Sequence, residues 1–146
     1  MNMYITPKMP SRNVALCSDF KHGKNHSESI HSFFHNPSQQ LCKQLDQLSA
    51  SFRKAPVRTV AKCQKLLIDY ALFQFHQEEH LMFLYGYTST ALQAHIGDHL
   101  KFWQHIELLS HDTHDPLDCL THLRSWLVLH HDRHDLPFCA IMLEDA

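Results

Sequence analysis

The sequence predicts an all-α fold, an antiparallel up-down-up-down four-helix bundle, on three observations. Only three glycines and six prolines punctuate 146 residues, so long stretches run between breakers. The leucine-rich runs in those stretches contain few consecutive β-branched residues, a composition that favours helix over strand. Apolar residues in four of the stretches recur every three or four positions, the period of a helix with one buried face. The length and the 44% hydrophobic content suit one domain around one core.

Residues 1–35 mix Pro, Ser, Asn, Lys and His without lasting periodicity and read as an irregular N-terminal arm, which leaves the bundle to residues 36–146. Asn36 and Pro37 read as an N-cap and a first helical residue, and Leu41, Leu45, Leu48 and Phe52 carry a helix over 37–53. Pro56 starts the second and longest helix, with Val60, Cys63, Leu67, Tyr70, Ala71, Phe75, Met82 and Tyr85 along its stripe. Gly86 ends it. Thr88, Ser89 and Thr90 offer capping hydroxyls to a third helix over 90–110, whose face carries Leu92, His95, His99, Phe102, Ile106 and Leu109. Asp115 and Pro116 open a fourth helix through Leu120, Leu123, Leu127 and His130, with Pro137 as its expected stop.

The net charge is −2, and the 13 lysines and arginines form no stripe that would neutralise a phosphate backbone, so no nucleic-acid partner is expected. No stretch approaches the roughly 20 apolar residues of a membrane span, and the N-terminus lacks the apolar run of a signal peptide. A cytoplasmic protein away from the membrane is the expectation. Cys17, Cys42, Cys63, Cys119 and Cys139 are widely spaced, with no CxxC pair, and are expected to be reduced core residues. Fifteen histidines are the unusual feature, because imidazole is the commonest neutral nitrogen ligand for iron, zinc and copper.

With about 100° per residue, Glu78 lies in the middle of the second helix's apolar stripe, between Gln74 and Met82. His76 and His80, the conspicuous histidines of LFQFHQEEHLM, lie about 160° away and are expected to face solvent. A carboxylate in an apolar stripe is costly unless it is paired, protonated or bound to a metal. His95 and His99, spaced i and i+4, project from one face of the third helix. His130 continues the stripe of the fourth, with Asp135 five residues on. That step is about 140° in a regular helix, so Asp135 needs a distorted last turn to reach the core. His134, at i+4 from His130, is the alternative.

In these residues the chain resembles the hemerythrin family of non-haem di-iron four-helix bundles, over about Leu41 to Phe138. The family's second-helix pattern YxxxHFxxEExxMxxxGY appears as YALFQFHQEEHLMFLYGY, Tyr70 to Tyr87, with Leu66 and Leu67 ahead of it and Gln74 at the histidine position. Its HxxxHxxF appears as HIGDHLKF, His95 to Phe102, and its WLxxHxxxxD as WLVLHHDRHD, Trp126 to Asp135. The resemblance implies that His95, His99 and His130 hold one iron, with Glu78 and Asp135 as bridges toward a second. The family's two remaining histidines fall on Ser38 and Gln74. A gapless register would instead align His76 and His80 with the family's second-helix ligands, at the cost of Tyr70, Met82, Gly86 and Tyr87.

The resemblance therefore implies an iron protein that binds dioxygen or another small diatomic for storage or sensing, with one metal or two. His35 and Cys42, on the side of Ser38, are candidate substitutes for the missing ligands. The competing reading is a bundle whose metal site has eroded and which serves as an interaction or regulatory module. No substrate-specific motif supports an enzyme.

Overall fold

The structure, a computed structural model, describes residues 26–111 and 114–144, with only the backbone of 26–29. Helices α1 (His26–Ser49), α2 (Pro56–Leu84), α3 (Ser89–Leu108) and α4 (Pro116–His130) are followed by a π-helical turn (His131–Asp135) and α5 (Leu136–Glu144). No strand occurs among the described residues. Short loops join the four long helices, and two cross-helix bonds fit an antiparallel order. Gln64 near the start of α2 meets Ile106 near the end of α3, and Arg124 of α4 meets Asp46 late in α1.

The helix boundaries after residue 50 follow their local chemistry. Gly86 takes φ 64°, and the Tyr87 amide donates to the Met82 carbonyl, so α2 closes in a left-handed cap that glycine adopts without a Cβ clash. Thr88 caps α3 by accepting from the Ala91 amide, and Asp115 caps α4 by accepting from Leu117, with Pro116 following it.

Two prolines overturn the boundaries expected for the first and last helices. α1 begins by His26, not at Pro37, so residues 26–35 of the supposed irregular arm are helical. Residues 1–25 lie outside the described part. Pro37 sits inside α1, where it has no N–H for the Phe33 carbonyl one turn back. A side chain supplies the donor: Gln74 Nε2 lies 3.0 Å from that carbonyl. Packing supplies the remaining stabilisation, since Ile30 and Phe34, both fully buried, rest against Leu81, Met82, Phe138 and Met142. Nor does Pro137 end the last helix. The preceding π turn, closed by the Leu136 amide on the His131 carbonyl five residues back, displaces the ladder by one residue. Such a turn leaves a carbonyl without its usual amide, and proline needs none to give.

The bundle interior has three levels. Leu41, Leu45, Leu67, Phe75, Phe102, Ile106, Leu123 and Leu127 belong to one apolar core, and Ile30, Phe34, Met82 and Phe138 to another. Between them, α1 to α4 and the π turn each place a polar residue inward: Ser38, Gln74 and Glu78, His95 and His99, His130, and Asp135, all buried.

Candidate metal centre

The five residues singled out in the sequence meet at this polar level. His95 Nε2 and His130 Nε2 are 3.1 Å apart, and His99 Nε2 is 3.3 Å from His130 Nε2. Glu78 Oε2 lies 3.0 Å from His99, 3.4 Å from His95 and 3.6 Å from His130. Asp135 Oδ1 lies 3.2 Å from both His95 and His130. The π turn brings Asp135 there: it makes residues five apart share a face, which is the distorted last turn that the His130 to Asp135 spacing required.

The outer nitrogens set the tautomers. His99 Nδ1–H donates to Glu79 Oε1 at 2.7 Å, and His130 Nδ1–H donates to Asp98 Oδ2 at 2.8 Å. With those protons outside, the inner Nε2 of a neutral ring carries a lone pair. Lone pairs of His99 and His130 would then face Glu78, Asp135 and each other at 3.0–3.6 Å, an arrangement that requires a positive charge in the middle. Asp135 Oδ1 itself is buried and makes no well-aligned hydrogen bond despite its two nitrogen neighbours.

Without a metal, protons supply that charge. Burial opposes the His130 imidazolium, yet its contacts with the Asp135, Asp98 and Glu78 carboxylates outweigh it and push the pKa up to about 11. Burial likewise opposes ionisation of Glu78, but its contacts with His130, His95 and His99 hold the carboxyl well below its ordinary range. A metal ion would take the same place. Donor separations of 3.1–3.3 Å are those of nitrogens each about 2.1 Å from a common centre and about 95–105° apart. The buried group of Glu78, His95, His99 and His130 can thus hold a metal ion.

Aromatic rings wall the cluster. Phe75 stacks on His99 with centroids 3.8 Å apart, and Trp126 stacks on His130 at 4.4 Å. Phe102 and Tyr70 pack behind Phe75. Burial, with the Glu78 and Asp135 carboxylates beyond it, holds the Tyr70 phenol well above its ordinary value, so it stays protonated.

The other candidates fall elsewhere. His76 and His80 are exposed, as the helix phase requires, which excludes the gapless register. His134 is half-buried at 3.6 Å from Asp98 and belongs to the outer layer of His130. Ser38 donates its hydroxyl to the His35 carbonyl at 2.9 Å. Gln74 donates to Glu78 Oε1 at 3.1 Å as well as to Phe33. Both positions at which the resemblance expects histidine therefore do backbone or carboxylate work. Cys42 is half-buried in a recess, where burial pushes its thiol up and disfavours a thiolate. It is a free thiol, as are Cys63, Cys119 and Cys139, while Cys17 lies outside the described residues.

Two contributors escaped the sequence reading, Asp98 and Glu79, which fix the rings of His130 and His99. Both adjoin a predicted ligand, and an acidic neighbour of a ligand was the available signal. Each, however, serves a histidine on another helix, and no spacing rule reports that. No family model matches the chain, and no curated protein or solved structure matches it either.

Proposed function

We propose that the chain is a hemerythrin-like non-haem iron protein with a single metal, held by His95, His99, His130, Glu78 and Asp135, that binds dioxygen or another small diatomic. The observation that carries this reading is the convergence of three imidazole nitrogens and the Glu78 carboxylate on one buried point, with Asp135 Oδ1 3.2 Å from two of the imidazoles and with two imidazoles oriented by carboxylates behind them. Such backing of a ligating histidine raises its basicity and locks its orientation. The donor set is nitrogen and oxygen without thiolate, which suits iron, manganese or zinc. Five donors leave room for one exogenous ligand.

Bound iron would supply reversible redox chemistry and an open position for the diatomic. The protein's residues do the rest. Phe75, Phe102 and Trp126 keep the point dry, Glu78 and Asp135 balance charge, and Asp98 and Glu79 hold the outer protons of His130 and His99. Gln74 and Ser38 leave the family's second metal without its histidines.

Metal analysis of protein purified without oxygen tests the proposal. One iron per chain, lost in His99→Ala, is the expected result. Two irons with a peroxide-to-iron charge-transfer band on oxygenation would show a dinuclear centre and refute the single-metal assignment. No metal after reconstitution would sink the proposal and favour a metal-free bundle, held by the same histidine–carboxylate pairs, as an interaction or regulatory module.

A further inference from the structure

A second group of histidines lies outside the central cluster. His31 and His35, one turn apart on α1, face His131 of the π turn, with ring centroids separated by 5.3 Å (His31–His35), 4.7 Å (His35–His131) and 5.9 Å (His31–His131). Three imidazoles bound through nitrogen to one ion, at about 2.1 Å, have centroids roughly 4.5–6 Å apart for angles of about 90–130°. The observed centroid separations fall in that range, and because a ring's centroid lies near its χ2 axis, turning His31 and His35 about χ2 aims their nitrogens at a common point without moving the centroids.

Two details go beyond proximity. His35 Nδ1 is buried and makes no hydrogen bond among the described residues. His131, 6% exposed, has its Nδ1 3.3 Å from Asp135 Oδ2. Donation of that N–H to the carboxylate leaves Nε2 with the free lone pair, the same orienting arrangement seen for His99 and His130. His35 and His131 also line a surface recess of about 530 Å³, whose wall carries Asp46 and Asp132 alongside Lys43 and Arg124 and which gives a cation a path to the rings. His31 is exposed and stands on the solvent side of the other two rings.

We propose that His31, His35 and His131 form a second, separate site for a borderline divalent cation such as Zn²⁺, reached through the recess and oriented by Asp135. Its donors are all imidazole, a set that favours zinc, copper or nickel over the cation of the mixed central cluster. Asp135 joins the two sites, with Oδ1 toward the central histidines and Oδ2 toward His131. The site does not depend on an occupied central cluster, since none of its imidazoles belongs to it.

The test is a Zn²⁺ titration of the metal-free full-length chain against a chromophoric chelator of micromolar affinity, for the wild type, a His31→Ala/His35→Ala variant and a His99→Ala variant. Expected are two equivalents for the wild type and one for each variant. His31 is exposed and His35 half-buried, so the double variant should keep its far-ultraviolet circular dichroism. Wild-type stoichiometry in the double variant overturns the proposal, as does a wild type that binds a single equivalent lost only in His99→Ala. A single equivalent that survives His99→Ala but is lost in the double variant upholds this site and overturns zinc binding by the central one. A chain that takes up no Zn²⁺ overturns both.

Discussion

Gln74 stands where a metal-binding histidine is expected, and its contacts make a quantitative prediction. Its Nε2 donates to the Phe33 carbonyl at 3.0 Å and to Glu78 Oε1 at 3.1 Å, in a side chain 1% exposed. Gln74→Leu keeps the shape and removes both donors. A hydrogen bond to a charged acceptor contributes about 1.5–3 kcal/mol and one to a neutral carbonyl about 0.5–1.5, so the substitution should cost about 2–4.5 kcal/mol. The neutral share exists because Pro37 has no N–H to offer Phe33. Pro37→Ala restores that N–H, so in its background Gln74→Leu should cost about 1 kcal/mol less. Equilibrium urea denaturation of the four proteins of this double-mutant cycle, with chelator present, reads the coupling directly. Additivity within about 0.5 kcal/mol would refute the claim that Gln74 stands in for the amide that proline lacks.

Asp98→Asn, which keeps the size but not the charge behind His130, should weaken metal binding about 10–100-fold in a chelator competition, and unchanged affinity would remove Asp98 from the centre. His76→Ala and His80→Ala should leave metal content as it is, since both side chains are exposed; loss of metal in either would mean that the phase of α2 is wrong. Removing a metal present at about 1,000 times its dissociation constant should withdraw about 4 kcal/mol and lower Tm by about 8–16 °C, whereas coincident calorimetric scans with and without chelator would contradict binding to the folded chain.

The helical class, the four stripes and the inward phase of Glu78, His95, His99 and His130 were legible because each follows from a local period. A residue's angle on its own helix depends only on its neighbours in the chain. The Asp135 distortion was legible for the same reason: a carboxylate five residues from His130 reaches the core only through a non-α turn, and the π turn supplies it. The two proline boundaries were not. Local rules place Pro37 at a helix start and Pro137 at a helix end, whereas the folded chain keeps both inside helical runs by a donor 37 residues from Pro37 and by a one-residue shift in the ladder.

The sequence by itself thus determined which residues point inward and at what depth on each helix, since periodicity and capping act over a few residues. Only the tertiary structure decided which inward residues meet, that Gln74 serves the Phe33 carbonyl of α1, that Asp98 and Glu79 orient the ring nitrogens, and that His131 joins His31 and His35 instead of the central cluster. These are contacts between helices, set by how the faces interdigitate at a separation of roughly 8–10 Å. No interval along the chain encodes that distance.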